Sequence, residues 1–119
     1  MTTTALPTST YDNGTAGVGA TITADANGAI GVIDGYTVVV NDILAIKDQA
    51  NGFENGIYEV TTLGDGSNPF VLTRVSYYDQ TAEVYPSLVT VVNGDTNGSL
   101  YYLQTTDSPT IGTDSIFGS

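Results

Sequence analysis

The sequence predicts an all-β domain, an antiparallel β-sandwich or small β-barrel with an extended N-terminal arm. Three observations lead there. The apolar runs are all of strand length, rich in Val, Thr, Ile and Tyr, and bounded by Gly, Asn or Pro. No segment repeats apolar residues at a 3.6-residue period for three turns, so no long helix is expected. At 119 residues with 14 glycines, the chain suits one domain built around one modest core.

Taken in order, residues 1–19 are rich in Thr, Gly, Ser and Asn, with Leu6, Tyr11 and Val18 as their anchors. They read as an arm ordered by a neighbour or by the chain's own sheet, a partner surface being favoured, and residues 20–119 read as the β domain. Strands are expected over 20–24 and 29–33, joined by a reversal at Asn27-Gly28. Strands over 36–40 and 43–47 meet at Asn41-Asp42, as a turn or as a bulged bend. Strands over 56–63 and 70–75 flank a Gly- and Pro-containing loop at 64–69. A last hairpin pairs 88–92 with 100–105, and 115–117 closes an edge. Alternation places Val38, Val40, Leu44, Ile46, Tyr58, Val60, Val89 and Val91 in the core, joined by Leu72 and Leu103.

Composition narrows the function. Thirteen carboxylates against two cations give a net charge of −11, which disfavours phosphate backbones and anionic membranes alike. No run approaches the roughly 18 apolar residues of a membrane helix, and residues 1–7 lack the basic start and apolar stretch of a signal peptide. With no His and no Cys in the chain, Ser-His-Asp and Cys-His machinery, His-ligated zinc and disulfides are all excluded. The remaining acids lie beside Gly and Asn, where turn chemistry explains them, so no enzyme, cofactor or metal site is expected. The Gly64-Asp65-Gly66 and 94–98 loops lack the alternating acids and closing glutamate of a calcium loop. The glycines at 14, 17 and 19 lack the strand and the Gly-Lys-Ser/Thr ending of a phosphate loop.

Scarcity gives the two cations weight. Lys47 and Arg74 are expected to form structural ion pairs with Asp48, Asp79 or Glu83 while their stems cover apolar surface. Arg74 is the stronger candidate, since a guanidinium bridges two acceptors, and Arg74→Ala is expected to cost about 1–3 kcal/mol. Leu6, Tyr11, Val18, Tyr77, Tyr78, Tyr101 and Tyr102 are the candidate interface residues, the tyrosines because rings with hydroxyls are enriched at interfaces.

The motifs themselves resemble a known module. Tyr11-Asp12-Asn13-Gly14, running on through Ala24, is followed by Ile46-Lys47-Asp48-Gln49, Asn55-Gly56-Ile57-Tyr58 and Leu72-Thr73-Arg74. This order is similar to a β-rich module of tailed-bacteriophage virion proteins, found in tail-fibre, tail and capsid-associated chains, and it covers about residues 5 to 117. The chain departs from that pattern at Ser76-Tyr77-Tyr78-Asp79, where an acid is lost, at Ile43, which replaces an arginine, and at Tyr101 or Tyr102, where a tryptophan is usual. The resemblance implies a virion structural protein, with a homotrimer as the expected assembly. Chain length and the arm favour a capsid decoration (cement) protein bound to the major capsid protein or another virion protein. A tail-fibre or tail-spike module that binds host surface glycans is the alternative.

Overall fold

A computed structural model describes residues 1–2, 5–76, 78, 88–90, 101–103 and 110–112, with 88–90 and 101–103 described by their backbone alone. Nine short strands and one 3₁₀ turn make up its regular structure: β1 (Ser9–Asp12), β2 (Thr21–Ala24), β3 (Val32–Ile33), β4 (Tyr36–Thr37), β5 (Ile43–Ile46), the turn Gly52–Glu54, β6 (Gly56–Thr62), β7 (Val71–Arg74), β8 (Leu88–Thr90) and β9 (Tyr101–Leu103). All pairings are antiparallel. The main sheet has five strands in the order β1-β2-β7-β6-β5, and β3-β4 and β8-β9 form two-stranded sheets. The main sheet is open: β1 and β5 are its edges and do not meet, so the barrel alternative is not realised.

One face of this sheet is the core. Tyr11, Ile22, Leu72 and Val60 lie in one cross-strand row, and Arg74, Tyr58 and Leu44 in the next. Ile22, Leu44, Ile46, Tyr58, Val60 and Leu72 are buried, and Val38 and Phe70 complete the cluster. Ile30, Ile33, Tyr36, Leu63 and Leu6 cover it from the loops and from the β3-β4 hairpin. Burying each large aliphatic side chain is worth roughly 1.5–3 kcal/mol, which makes this row the main source of stability. On the opposite face Val75, Tyr78 and Ile111 form a smaller cluster against Ala45 and Ile57.

Several sequence expectations change here. The described part of the 1–19 segment belongs to the sheet. Ser9–Asp12 pairs with Thr21–Ala24 in full register, and Met1 and Thr2 are buried. Its order at β1 therefore comes from the chain's own backbone ladder, not from a partner, because alternating Ser, Thr, Tyr and Asp present a half-apolar strand that β2 accepts. The reversal expected at Asn27-Gly28 does not form a β2-β3 hairpin. β2 is already paired on both sides, and the chain leaves the sheet through Gly28 N–H to Asn68 O and Ile30 N–H to Leu63 O. β3 turns into β4 instead, across Asp34 (φ 48°) and Gly35 (φ 78°), the two left-handed residues of a type I′ turn.

Val38 is buried, whereas Val40 is 50% exposed. The strand ends at Thr37, and a turn closed by Asp42 N–H to Val39 O, with Asn41 at φ 72°, breaks the alternation. Of the two readings of Asn41-Asp42, the chain takes the turn. Side chains of Val89 and Leu103 are not described, and Val91 and 115–117 lie outside the described residues. Deleting residues 1–19 would strip a paired edge strand and uncover Ile22. The truncated chain is therefore expected to melt well below the parent, or not to fold, and circular dichroism melts of the two chains measure this directly.

Candidate functional site

Arg74 is the chemical centre of the described structure. Strand alternation turns its side chain onto the inner face of β7, directly across from Tyr58 on β6, and only 3% of the residue is exposed. There the guanidinium donates from Nη1 to the Asn55 carbonyl at 3.1 Å and from Nη2 to the Tyr58 hydroxyl at 2.8 Å. Nη2 also reaches the Tyr11 hydroxyl at 3.1 Å and the Phe53 carbonyl at 3.4 Å. Its carbon lies 4.8 Å from the Tyr58 ring centre and 5.9 Å from that of Tyr11, so two π faces take part of the role of a counter-ion. Nε has no partner among the described residues.

Of the acids expected to pair with Arg74, Asp48 is instead bound to Lys47. Among the described residues the acceptors of Arg74 are backbone carbonyls and tyrosine hydroxyls. Asp79 and Glu83 lie outside the described residues. Lys47 does meet Asp48, at 2.7 Å on a partly exposed edge, where such a pair is worth ~1 kcal/mol or less.

A second shell of contacts fixes the node. Tyr11 donates its hydroxyl to Asn13 Oδ1 at 2.6 Å, and its ring meets Phe53 edge-on with centroids 5.8 Å apart. Tyr58 donates to the Glu54 carbonyl. Burial pushes the Tyr58 hydroxyl well above the ordinary tyrosine range, against the opposing pull of Arg74, so it stays a donor at any physiological pH. Asn55 is fully buried and accepts the Gln49 N–H at Oδ1, and Gln49 Oε1 in turn accepts the Leu6 N–H.

Gly56 makes the approach possible. A Cβ built there would overlap Arg74 Nη1, and the residue sits at φ 153°. Sequence reasoning chose Arg74 and Tyr11 but missed Gln49, Asn55 and Gly56 as members of one site. The signal was present in the Asn55-Gly56 step, where an Asn-Gly pair opens a strand, not a turn.

Among the described residues of the node no nucleophile stands beside a base, and Arg74 Nε is the one buried side-chain polar atom without a hydrogen-bond partner. Among the described residues no three of His, Cys, Asp or Glu come together as a metal site. Asp65 Oδ1 accepts the N–H groups of Ser67 and Asn68, which holds its carboxyl below the usual range and uses it as a turn acceptor. An open groove of about 330 Å³ between Pro7, Ala24–Ala29 and Phe70 offers one carboxylate, Asp25, already hydrogen-bonded to Thr10 Oγ1.

The interface candidates divide. Leu6 and Tyr11 pack against the core, Tyr78 is 5% exposed in the smaller cluster, and Val18 is 44% exposed. Tyr77 lies outside the described residues, and Tyr101 and Tyr102 are placed in β9 by backbone only. The chain matches no protein-family model, no curated protein and no solved structure.

Arg74→Ala is expected to cost about 3–5 kcal/mol, more than a single lost hydrogen bond, since it strands buried acceptors and opens a cavity. Arg74→Lys, without the planar fork, should recover part of this. Urea melts of the three proteins measure the order, and equal midpoints would exclude the node as a source of stability. Gly56→Ala should destabilise comparably by steric overlap with Arg74.

Proposed function

We propose that the chain is a bacteriophage virion structural protein, a capsid decoration module that works through its surfaces and catalyses nothing. One observation carries the reading. From each of several runs that carry the resemblance to virion modules, residues meet at one buried node: Tyr11 and Asn13, Gln49, Asn55 with Gly56 and Tyr58, and Arg74. Motif residues spent on architecture fit a building block reused with different surfaces better than they fit a reaction centre.

Charge supports the location. A net −11 keeps the domain soluble and repels DNA, which suits the outside of a DNA-filled shell. The proposed partners are further copies of the chain, with threefold symmetry implied by the resemblance, and the major capsid protein or another virion protein.

Cryo-electron microscopy of intact particles, with the protein located by labelling and its copy number read by quantitative mass spectrometry, tests this. The expected result is density on the capsid surface at a fixed ratio to the capsid subunit. Density on the tail would transfer the reading to the fibre module, and absence from purified particles would end both.

A further inference from the structure

At one end of the main sheet the chain arches out of β2 through residues 24–29, and the arch is pinned at both ends. Asp25 N–H donates to Thr8 O at its start, and Gly28 N–H to Asn68 O near its close. Gly64 lets the second tie form: it sits at φ 89°, and a Cβ there would overlap the Gly28 carbonyl. Between the arch, Pro7 and Phe70 lies the open groove of about 330 Å³. Its floor is apolar, since Ala24 and Phe70 are buried core residues. The arch adds only methyl groups at Ala26 and Ala29 and no side chain at Gly28.

One carboxylate stands on this groove. Asp25 Oδ1 accepts the Thr10 hydroxyl at 2.7 Å, which orients the group, and Oδ2 accepts no hydrogen bond among the described residues. The chain's own cations do not serve it. There are two in the sequence. Lys47 is paired with Asp48 just past β5, at the far edge of the sheet from β1, and Arg74 is spent on the buried node.

We propose that this groove receives a lysine or arginine side chain from an exposed segment of a partner protein, with its methylene stem against Ala24 and Phe70 and its cation on Asp25 Oδ2. Such a side chain joins an apolar stem to a charged tip, and the groove joins an apolar floor to an acid. Other occupants match it less well. An anion meets both Asp25 and a net charge of −11. A wholly apolar side chain would desolvate the carboxylate without pairing it. A neutral sugar stacks on an exposed ring, and Phe70 is 3% exposed. A free small cation needs a pocket that buries about 70–90% of its surface, which an open groove does not do. A side chain presented by a partner surface needs no such enclosure. One exposed pair is weak alone, so the groove supplies charge selection and register within a larger contact. The inference rests on the groove and stands or falls apart from the virion reading.

Nuclear magnetic resonance titration of the isotope-labelled full chain tests it. The probe is the blocked peptide Gly-Ser-Arg-Ser-Gly, and the control carries citrulline, the neutral isostere of arginine, in the same place. The arginine peptide should shift the amides of residues 24–29 and 70 saturably, with a Kd of ~1–10 mM, as expected for one exposed pair. The citrulline peptide should bind about 5-fold more weakly or worse. Raising NaCl from about 50 to about 500 mM should weaken the arginine peptide, because the pair is open to solvent. Asp25→Asn keeps an acceptor for Thr10 and loses the charge, so it should reproduce the citrulline loss with an unchanged melting curve. Ala26→Leu, at an exposed position, fills the groove and should abolish the localised shifts while the chain stays folded. Equal binding of the two peptides overturns the inference, as does arginine binding undiminished by Asp25→Asn or by Ala26→Leu. Shifts scattered beside the other carboxylates with none in the groove overturn it too, since they mean diffuse attraction to an acidic surface only.

Discussion

A positive charge buried without a carboxylate among the described residues is the constraint around which this domain is arranged. Desolvating a guanidinium is costly, and here the compensation is assembled from separate pieces of chain. The 3₁₀ turn contributes the carbonyl of Phe53, its capping residue that of Asn55, β6 contributes Tyr58, and β1 contributes Tyr11. The edge strand is thereby tied to the centre of the sheet by a side chain as well as by its ladder. Each partner has its own anchor: Tyr11 on Asn13, Tyr58 on the Glu54 carbonyl, Asn55 on the Gln49 amide. A half-satisfied polar network inside a core is worse than none, which explains why so many residue identities are spent on one cation.

This division of labour leaves the surface free. The inner face holds the aliphatic row and the node, and the outer face carries threonines on β1, β2 and β7, with the small Val75-Tyr78-Ile111 cluster at one end.

Legibility followed the range of the interaction. Alternation placed Leu44, Ile46, Tyr58, Val60 and Leu72 correctly, because a strand's period is written in neighbouring residues. It failed at Val40, where a left-handed Asn41 resets the phase. The hairpin at Asp34-Gly35 was readable from that dipeptide alone, yet the Asn-Gly step just before it took precedence. The β2-β7 pairing joins segments some fifty residues apart, and no local pattern announces it. The same holds for β1, whose polar composition looks like a free arm until β2 is available to pair with it. Arg74 drew attention by its rarity, but its acceptors among the described residues are backbone carbonyls and hydroxyls, which no charge count reveals.

Burial of the Asn55 side chain bears on chemical ageing. Spontaneous deamidation at an Asn-Gly step requires the glycine nitrogen to swing onto the asparagine Cγ and expel ammonia. That swing needs a loose backbone and a free side chain. Asn55 has neither: it is fully buried and its Oδ1 accepts the Gln49 amide. Asn13 is tied to Tyr11 and to the Ile111 carbonyl. Asn27 and Asn51 precede glycine at exposed positions, so the covalent clock of the described chain runs first on its loops. The step that opens β6 is kept intact by the fold it helps to build.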